Sequence, residues 1–275
     1  MNADEDLDKL MLLLYRCIQF TSGMSIPTGD EWKNDAQSLS VKIFRHVVSA
    51  QQVSGGVRSD AESGMDFSHV DHSSVAVITR SAIEAFLTLK YVFINDDEEL
   101  SILRHKLWKL SGLNDRSKIL AQTSISIEIL KREAEDIDLL KKEIFSSPFF
   151  TSSSSEVRKS IKKCSWKPLG GLHTVSGEAN IHQRFFSDIY NHLSGHSHAS
   201  YISVTQVRDA VGYSDQVMLA GASRSMLCLI VSHLLFAYTK LFPESRRLLE
   251  SDLDVYGIAD KWYVQKSDHE RLYGA

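Results

Sequence analysis

The sequence predicts an all-α protein, a helical bundle around two apolar central helices with peripheral helices and a short C-terminal tail. Apolar residues recur at steps of three and four along most of the chain, which is the spacing of one helical face. No segment shows the sustained alternation expected of a strand. The 4 prolines and 14 glycines among 275 residues leave long uninterrupted segments, and a hydrophobic content of 43% suffices for a substantial core.

Residues 1–66 are predicted to form N-terminal helices. Leu7 and Leu14 lie on one face of the first helix, and the acidic residues that precede them suit the positive end of a helix dipole. Asp30 can cap a second helix. The glycine-rich segment Ser54–Met65 is predicted to be a loop.

Residues 67–242 are predicted to form the core bundle, and residues 243–275 a tail packed on it. The central helices, about Val70–Phe93 and Asp215–Leu241, carry apolar residues on most of their surface, which is typical of helices inside a bundle. The remaining predicted helices lie at Leu100–Leu113, Ser117–Phe145, Glu156–Lys163 and Asn180–Leu193, with a helix start at Thr205–Val211 and one tail helix near Ile258–Val264. Loops are predicted at Ser146–Ser155 and Trp166–Glu178, and a turn at Ser194–Ser200.

Composition and charge exclude several classes of protein. A net charge of -4 provides no overall basic field for nucleic acid, although a local basic patch stays open. The 3 cysteines are widely spaced and odd in number, which is typical of reduced thiols in a cytoplasmic protein. The acidic N-terminus is unlike a secretory signal. Val217–Phe236 has the composition of a membrane span, but Arg224 near its middle favours a buried core helix, so no membrane partner is predicted.

Chemistry is expected first in residues 190–200, where three of the 11 histidines fall within seven positions. Imidazole titrates near neutral pH and is the commonest neutral metal ligand. Asp188, His192 and His196 are spaced four apart and would share a face if the helix continued, but Gly195 argues against that continuation. Because no H-E-x-x-H motif accompanies them, neither a metal site nor a cofactor is predicted.

A second feature is the pair Arg80 and Glu84, four residues apart in an otherwise apolar helix. Charged side chains are almost never fully buried unless they are paired. The pair is therefore either a structural i,i+4 ion pair or part of an internal polar cavity. Arg224 has the same two interpretations. No G-x-S-x-G, G-x-G-x-x-G or P-loop motif is present, and Cys164 lacks an identifiable base.

Residues of unlike type follow one another in a recognisable order: Arg80, Ser81, Glu84, Trp166, Tyr190, Leu193, Ser194, His198 and Ser200. This order resembles a group of mostly uncharacterised helical bacterial proteins classed as a domain of unknown function. Those proteins typically show an R-S-x-x-E helix, a tryptophan and a Y-x-x-L-S-x-x-x-H-x-S segment. The resemblance covers about Val70–Val211, with Phe186 where a tyrosine is expected. It implies a polar pocket where the Arg/Glu helix meets the Tyr/Ser/His turn, and no established reaction.

A looser likeness is to the helical nucleotide-binding domains named after higher eukaryotes and prokaryotes (HEPN), many of which are metal-independent ribonucleases. Their signature is an arginine followed four to six positions later by a histidine. Here Arg184 stands too far before His192, and Tyr190 occupies the sixth position before His196. The likeness therefore implies that the catalytic arginine comes from elsewhere, with Arg80 as the candidate.

Two functions remain open. The first is a metal-independent ribonuclease-like or nucleotide-handling domain of a bacterial defence or stress system. The catalytic candidates are His198 as general acid and base, Arg80 for phosphate charge, and Tyr190, Ser194 and Glu84 to orient them, with His196, Ser200 and Trp166 for binding. The second is a non-catalytic interaction or sensor module, in which the polar cluster ties the bundle together. The candidate partners are RNA or a nucleotide, another protein, and a second copy of the chain in a homodimer.

Overall fold

A computed structural model of the protein describes residues 3–58 and 68–273. The all-α prediction is confirmed, because the described residues contain fourteen α-helices and no strand, with a single antiparallel bridge between Val57 and His69. The helices are α1 (Ala3–Thr21), α2 (Trp32–Ser54), α3 (His72–Phe93), α4 (Glu98–Arg116), α5 (Ser124–Ser146), α6 (Pro148–Ser152), α7 (Ser155–Lys162), α8 (Gly171–Glu178), α9 (Gln183–Ser197), α10 (Tyr201–Asp209), α11 (Tyr213–Leu241), α12 (Arg246–Ser251), α13 (Leu253–Trp262) and α14 (Lys266–Tyr273).

Several predicted boundaries are wrong. The predicted loops contain α6 and α8, the predicted turn is helical as far as Ser197, and the tail contains three α-helices instead of one. Side-chain hydrogen bonds explain part of this difference, since Ser147 and Asp252 cap short helices that have too few apolar positions to show a period. Of the predicted loop Ser54–Met65, residues 59–65 lie outside the described residues.

The chain divides into two compact units. Unit 1 comprises Met1–Leu89 and Ser176–Ala275, and unit 2 comprises Lys90–Val175. The N-terminal helices and the C-terminal tail belong to the same unit because both pack on α11. The division predicted at residues 66/67 and 242/243 stays a prediction.

Unit 1 is organised around α11, which packs against α1, α2 and α13. Its length and composition would allow it to cross a membrane, but 67% of its most apolar window is buried inside the protein. Arg224, near the middle of this helix, forms an ion pair with Asp4 of α1, with 2.7 Å between Nε and Oδ1. The structural interpretation of Arg224 is therefore the correct one. Phe86 of α3 packs edge-on against His233 of α11, which joins the two predicted central helices.

Unit 2 is a helical hairpin of α4 and α5 with α6 and α7 packed at one end. Its core contains Leu110, Ile144, Phe150 and the buried Cys164. Arg116 near the end of α4 pairs with Glu133 of α5. Each unit therefore has a hydrophobic core of its own.

Candidate functional site

A closed group of three polar side chains joins α3 to α9. Arg80 and Glu84 lie one turn apart on α3, with 3.0 Å between Nη2 and Oε1. Tyr190 of α9 accepts a hydrogen bond from Arg80 Nη2 at 3.0 Å and donates its own proton to Glu84 Oε1 at 2.6 Å. The predicted proximity of Arg80 and Glu84 to the Tyr190 segment is thereby confirmed, and these three residues are called the triad below.

The triad is held by packing as well as by hydrogen bonds. The guanidinium of Arg80 lies over the Tyr190 ring, 5.1 Å from its centroid. Phe186 is buried and stacks on the Tyr190 ring, with ring centroids 5.3 Å apart. The position where the resemblance expects a tyrosine therefore contributes an apolar support to the triad.

Electrostatics favour the neutral form of Tyr190 and the charged form of Arg80. Burial and the hydrogen bond to Glu84 raise the pKa of the Tyr190 phenol, so it stays protonated and remains a donor to Glu84. The hydrogen bond to Tyr190 and the charge of Glu84 raise the pKa of Arg80. The triad thus contains a cation and a neutral phenol that both contact Glu84 Oε1.

The junction between α9 and α10 is tighter than the sequence indicates. A Cβ atom at position 195 would lie 2.7 Å from Ser200 Oγ, so a residue other than glycine would displace the Ser200 side chain from its present position. Ala199 completes the junction in the left-handed region, with φ 49°. Ser200 then caps α10 by accepting a hydrogen bond from the Ser203 backbone N–H at 3.3 Å. Gly195 therefore serves close packing and does not end the helix.

His196 lies in a polar cluster at this junction. Its Nδ1 is 3.1 Å from Ser73 Oγ on α3, and its ring makes edge contacts with His192 and His72 at centroid distances of 5.3 and 6.0 Å. Burial lowers the pKa of His196, and the neighbouring His192 and His72 lower it further. The cluster therefore favours a neutral imidazole. Within residues 3–58 and 68–273, no group of three or more His, Cys, Asp or Glu side chains could hold a metal ion.

His198, the predicted general acid and base, is exposed at the C-terminal end of α9. Its backbone N–H donates to the Ser194 carbonyl at 3.1 Å. Among the described residues no recorded contact joins its side chain to the triad. Ser194 Oγ is buried without a hydrogen-bond partner in the described part of the chain, as is Arg80 Nε. The structure thus joins three of the five catalytic candidates, and their catalytic roles stay predictions.

Trp166, predicted to contribute to binding, belongs to unit 2. It packs there on the core of α4, α5 and α7, with its ring 6.0 Å from that of Tyr91. A cavity of about 290 Å³ in unit 2 is lined by residues of α4, α5 and α6 such as Leu103 and Phe149, and another of about 300 Å³ in unit 1 lies beside α1 and α13. Neither of these two cavities includes a predicted site residue.

Sequence reasoning missed the unusual exposure of α10. Seven large apolar residues between positions 201 and 218 are more than half exposed: Tyr201, Ile202, Val204, Val207, Val211, Tyr213 and Met218. The only signal in the sequence was their density, which equally fits a buried helix.

Comparison with known proteins identifies a family. A model of a family of unknown function (DUF5677) matches residues 43–211, and the chain belongs to this family. The prediction of an uncharacterised family is confirmed, and the match begins in α2, before the resemblance noted from the motifs. No curated protein and no solved structure matches the chain significantly. The likeness to HEPN domains stays a prediction.

Proposed function

We propose that this protein is a non-catalytic interaction module. In this proposal the polar residues of α3 and α9 hold the bundle together, and the exposed apolar face of α10 binds a protein partner. The observation that carries the proposal is the geometry of the triad, because Arg80 Nη2 is directed at both Glu84 and Tyr190 within the chain. An arginine that stabilises a phosphate must direct its donors at the ligand.

The exposure of His198 supports the same interpretation. A general acid and base must lie within hydrogen-bonding reach of the reacting group, and catalysis by Arg80 and His198 together requires both side chains at one substrate. His198 is exposed, whereas Arg80 is half-buried against Tyr190. For the ribonuclease alternative, a guanidinium nitrogen of Arg80 other than Nη2 would have to reach the RNA phosphate, because Nη2 is already directed at Glu84 and Tyr190.

We also place the protein in the cytoplasm. Cys17, Cys164 and Cys228 are free and buried. Burial raises the pKa of Cys17 to about 11 and that of Cys228 to about 12, which keeps both thiols protonated. Free thiols without a disulfide suit a reducing compartment.

An RNA degradation assay tests the non-catalytic proposal. Purified wild-type protein, Arg80→Ala and His198→Ala are incubated with labelled single-stranded RNA in the presence of a chelator. We expect the wild type to degrade RNA no faster than buffer does, and no faster than either variant. Degradation by the wild type that both substitutions abolish, while Arg184→Ala retains it, would replace the proposal by the ribonuclease alternative.

A further inference from the structure

Helix α10 has its polar and apolar residues reversed relative to a surface helix of a monomer. Ser203 is buried and donates a hydrogen bond to the Gly195 carbonyl at 3.0 Å, and Gln206 is also half-buried. By contrast, Tyr201 is 76% exposed, and Val204 and Val207 are each 55% exposed. An amphipathic helix normally buries its apolar face against the core. This helix turns that face towards solvent.

The exposed residues of α10 form a stripe. Tyr201, Val204 and Val207 recur every three residues, so their side chains lie on adjacent turns of one helical face. Val211, in the turn between α10 and α11, and Tyr213, the first residue of α11, are 84% and 62% exposed. Exposed apolar residues in such density mark a site of association.

The stripe and its continuation supply the apolar part of one half of a specific interface. Their five side chains, Tyr201, Val204, Val207, Val211 and Tyr213, offer on the order of 500 Å², taking roughly 150 Å² for each when fully exposed. Each partner in a standard-size interface contributes about 800 Å², of which the outer part is a polar rim. The α10 surface therefore has the area of the apolar core of such an interface.

The charges of the α10 surface identify the kind of occupant. Within the helix only Arg208 and Asp209 are charged, and they pair with each other, with 2.6 Å between Nε and Oδ1. A surface without unpaired basic side chains does not attract RNA or an anionic membrane. In a twofold interface each patch meets its own copy, so a neutral apolar patch can associate with itself without charge repulsion.

We infer that the α10 surface binds a second copy of this chain, forming a twofold homodimer. The inference rests on the proposed interaction function and names its partner. Two copies of α10 bury each other's apolar stripes, and Arg208, which lies one turn after Val204 on the same face, keeps its charge neutralised by Asp209.

Light scattering after size-exclusion chromatography tests the dimer over a series of concentrations of the full chain. The wild type should have twice the 31.0 kDa mass of the monomer. Val204→Asp and Val207→Asp each place two charges in a twofold interface and should raise the dissociation constant at least about a hundredfold. The matched control is Leu120→Asp, which changes a residue that is 82% exposed in unit 2 and should leave the dimer intact.

Cross-linking provides a second measurement that does not depend on how the charged variants fold. Val204→Cys is a small change at an exposed site, and the three native cysteines are buried. A short bismaleimide should join two copies of Val204→Cys, but not two copies of Leu120→Cys.

Two results would overturn the dimer: a wild type that stays monomeric at every concentration, or a dimer that survives both aspartate substitutions and gives no Val204→Cys cross-link. A monomeric wild type that also fails to degrade RNA leaves the interaction function in place with a different partner. RNA degradation by the wild type would rule out the non-catalytic interaction function, whether the protein is a monomer or a dimer. The two failures are therefore distinguishable.

Discussion

The triad on α3 and α9 and the apolar stripe on α10 differ in where their partners are. Arg80, Glu84 and Tyr190 satisfy one another within the chain. Tyr201 and Val204, on the next helix, direct their apolar surface at solvent. A half-buried charge costs free energy unless it is paired. An exposed apolar side chain contributes no hydrophobic stabilisation in a monomer, and it does so only when association removes it from water.

This difference assigns separate roles to the two regions. Saturated polar contacts stabilise the fold, and unused apolar surface is available for binding. Polar residues of unlike type attract attention in a sequence as candidates for chemistry, yet in this structure they hold helices together. The face of α10, which has no chemical motif, is the better candidate for function.

The largest effect is expected from Arg80→Ala, which removes one member of the triad. It leaves the Glu84 carboxylate without its ion pair and Tyr190 without a donor, so unit 1 should lose about 1–3 kcal/mol of unfolding free energy. The lower part of that range is expected because the Glu84 side chain is 38% exposed. Urea unfolding followed by circular dichroism measures the change.

The neighbouring Ser81→Ala serves as the control for Arg80→Ala. Ser81 is exposed on the same helix, and its hydroxyl bonds only to the Val77 carbonyl, so its removal should change the unfolding free energy by less than about 0.5 kcal/mol. Equal stabilities of the two variants would mean that the triad does not support the fold.

A smaller effect is expected from the pH dependence of stability at His196. Burial lowers its pKa below the ordinary value of 6.5, so on acidification the unfolded chain binds the proton first. The stabilisation from neutral His196 is complete above about pH 6.5 and is lost as the pH falls through the folded-state pKa. The melting temperature should therefore fall below pH 6.5, and His196→Gln should reduce that fall.

The surroundings of His196 determine the design of this experiment. His72 and His192 favour its neutral form, while Asp71 and Gln206 oppose the shift. The pKa of His72 is also lowered, chiefly by burial, so part of the pH dependence should remain in His196→Gln. The control is His198→Gln, which changes an exposed histidine. If the melting temperature of His196→Gln falls with pH as much as that of the wild type, groups other than His196 cause the pH dependence.

The smallest effect is expected from His198→Ala, at the boundary between the two regions. The side chain is exposed, and its recorded contact is made by the backbone N–H, which alanine retains. The melting temperature should change by less than about 2 °C. A larger loss of stability would show that the His198 side chain belongs to the polar cluster around His196 and stabilises the fold.

Much of the helical architecture could be predicted from the sequence. The apolar face of α1 was visible from its period, and α3 and α11 were visible because apolar residues cover most of their surface. The short helices α6 and α8 were not, because they lie in segments rich in serine or glycine, whose composition predicts a loop. Gly195 was misread as a helix end because a glycine inside a helix costs only about 1 kcal/mol, which close packing can offset.

The candidate site could be predicted only in part. The rule that charges in an apolar helix need partners indicated that Arg80 and Glu84 would be paired, and the motif order pointed to Tyr190. The position of His198 could not be predicted in the same way. Its exposure depends on where α9 ends and on how Ser200 begins α10, and these are results of packing around Gly195.

The sequence by itself therefore determined the helical class, the long helices and the pairing of their buried charges, because helical period and the cost of an unpaired charge are local properties of the chain. Only the tertiary structure decided that Arg80, Glu84 and Tyr190 contact one another and that α10 turns Ser203 inwards and Val204 outwards. Burial is a property of neighbours that are distant in sequence. The same apolar spacing can face a core or solvent, and the face of α10 that points inwards is the one whose Ser203 bonds to the Gly195 carbonyl of α9.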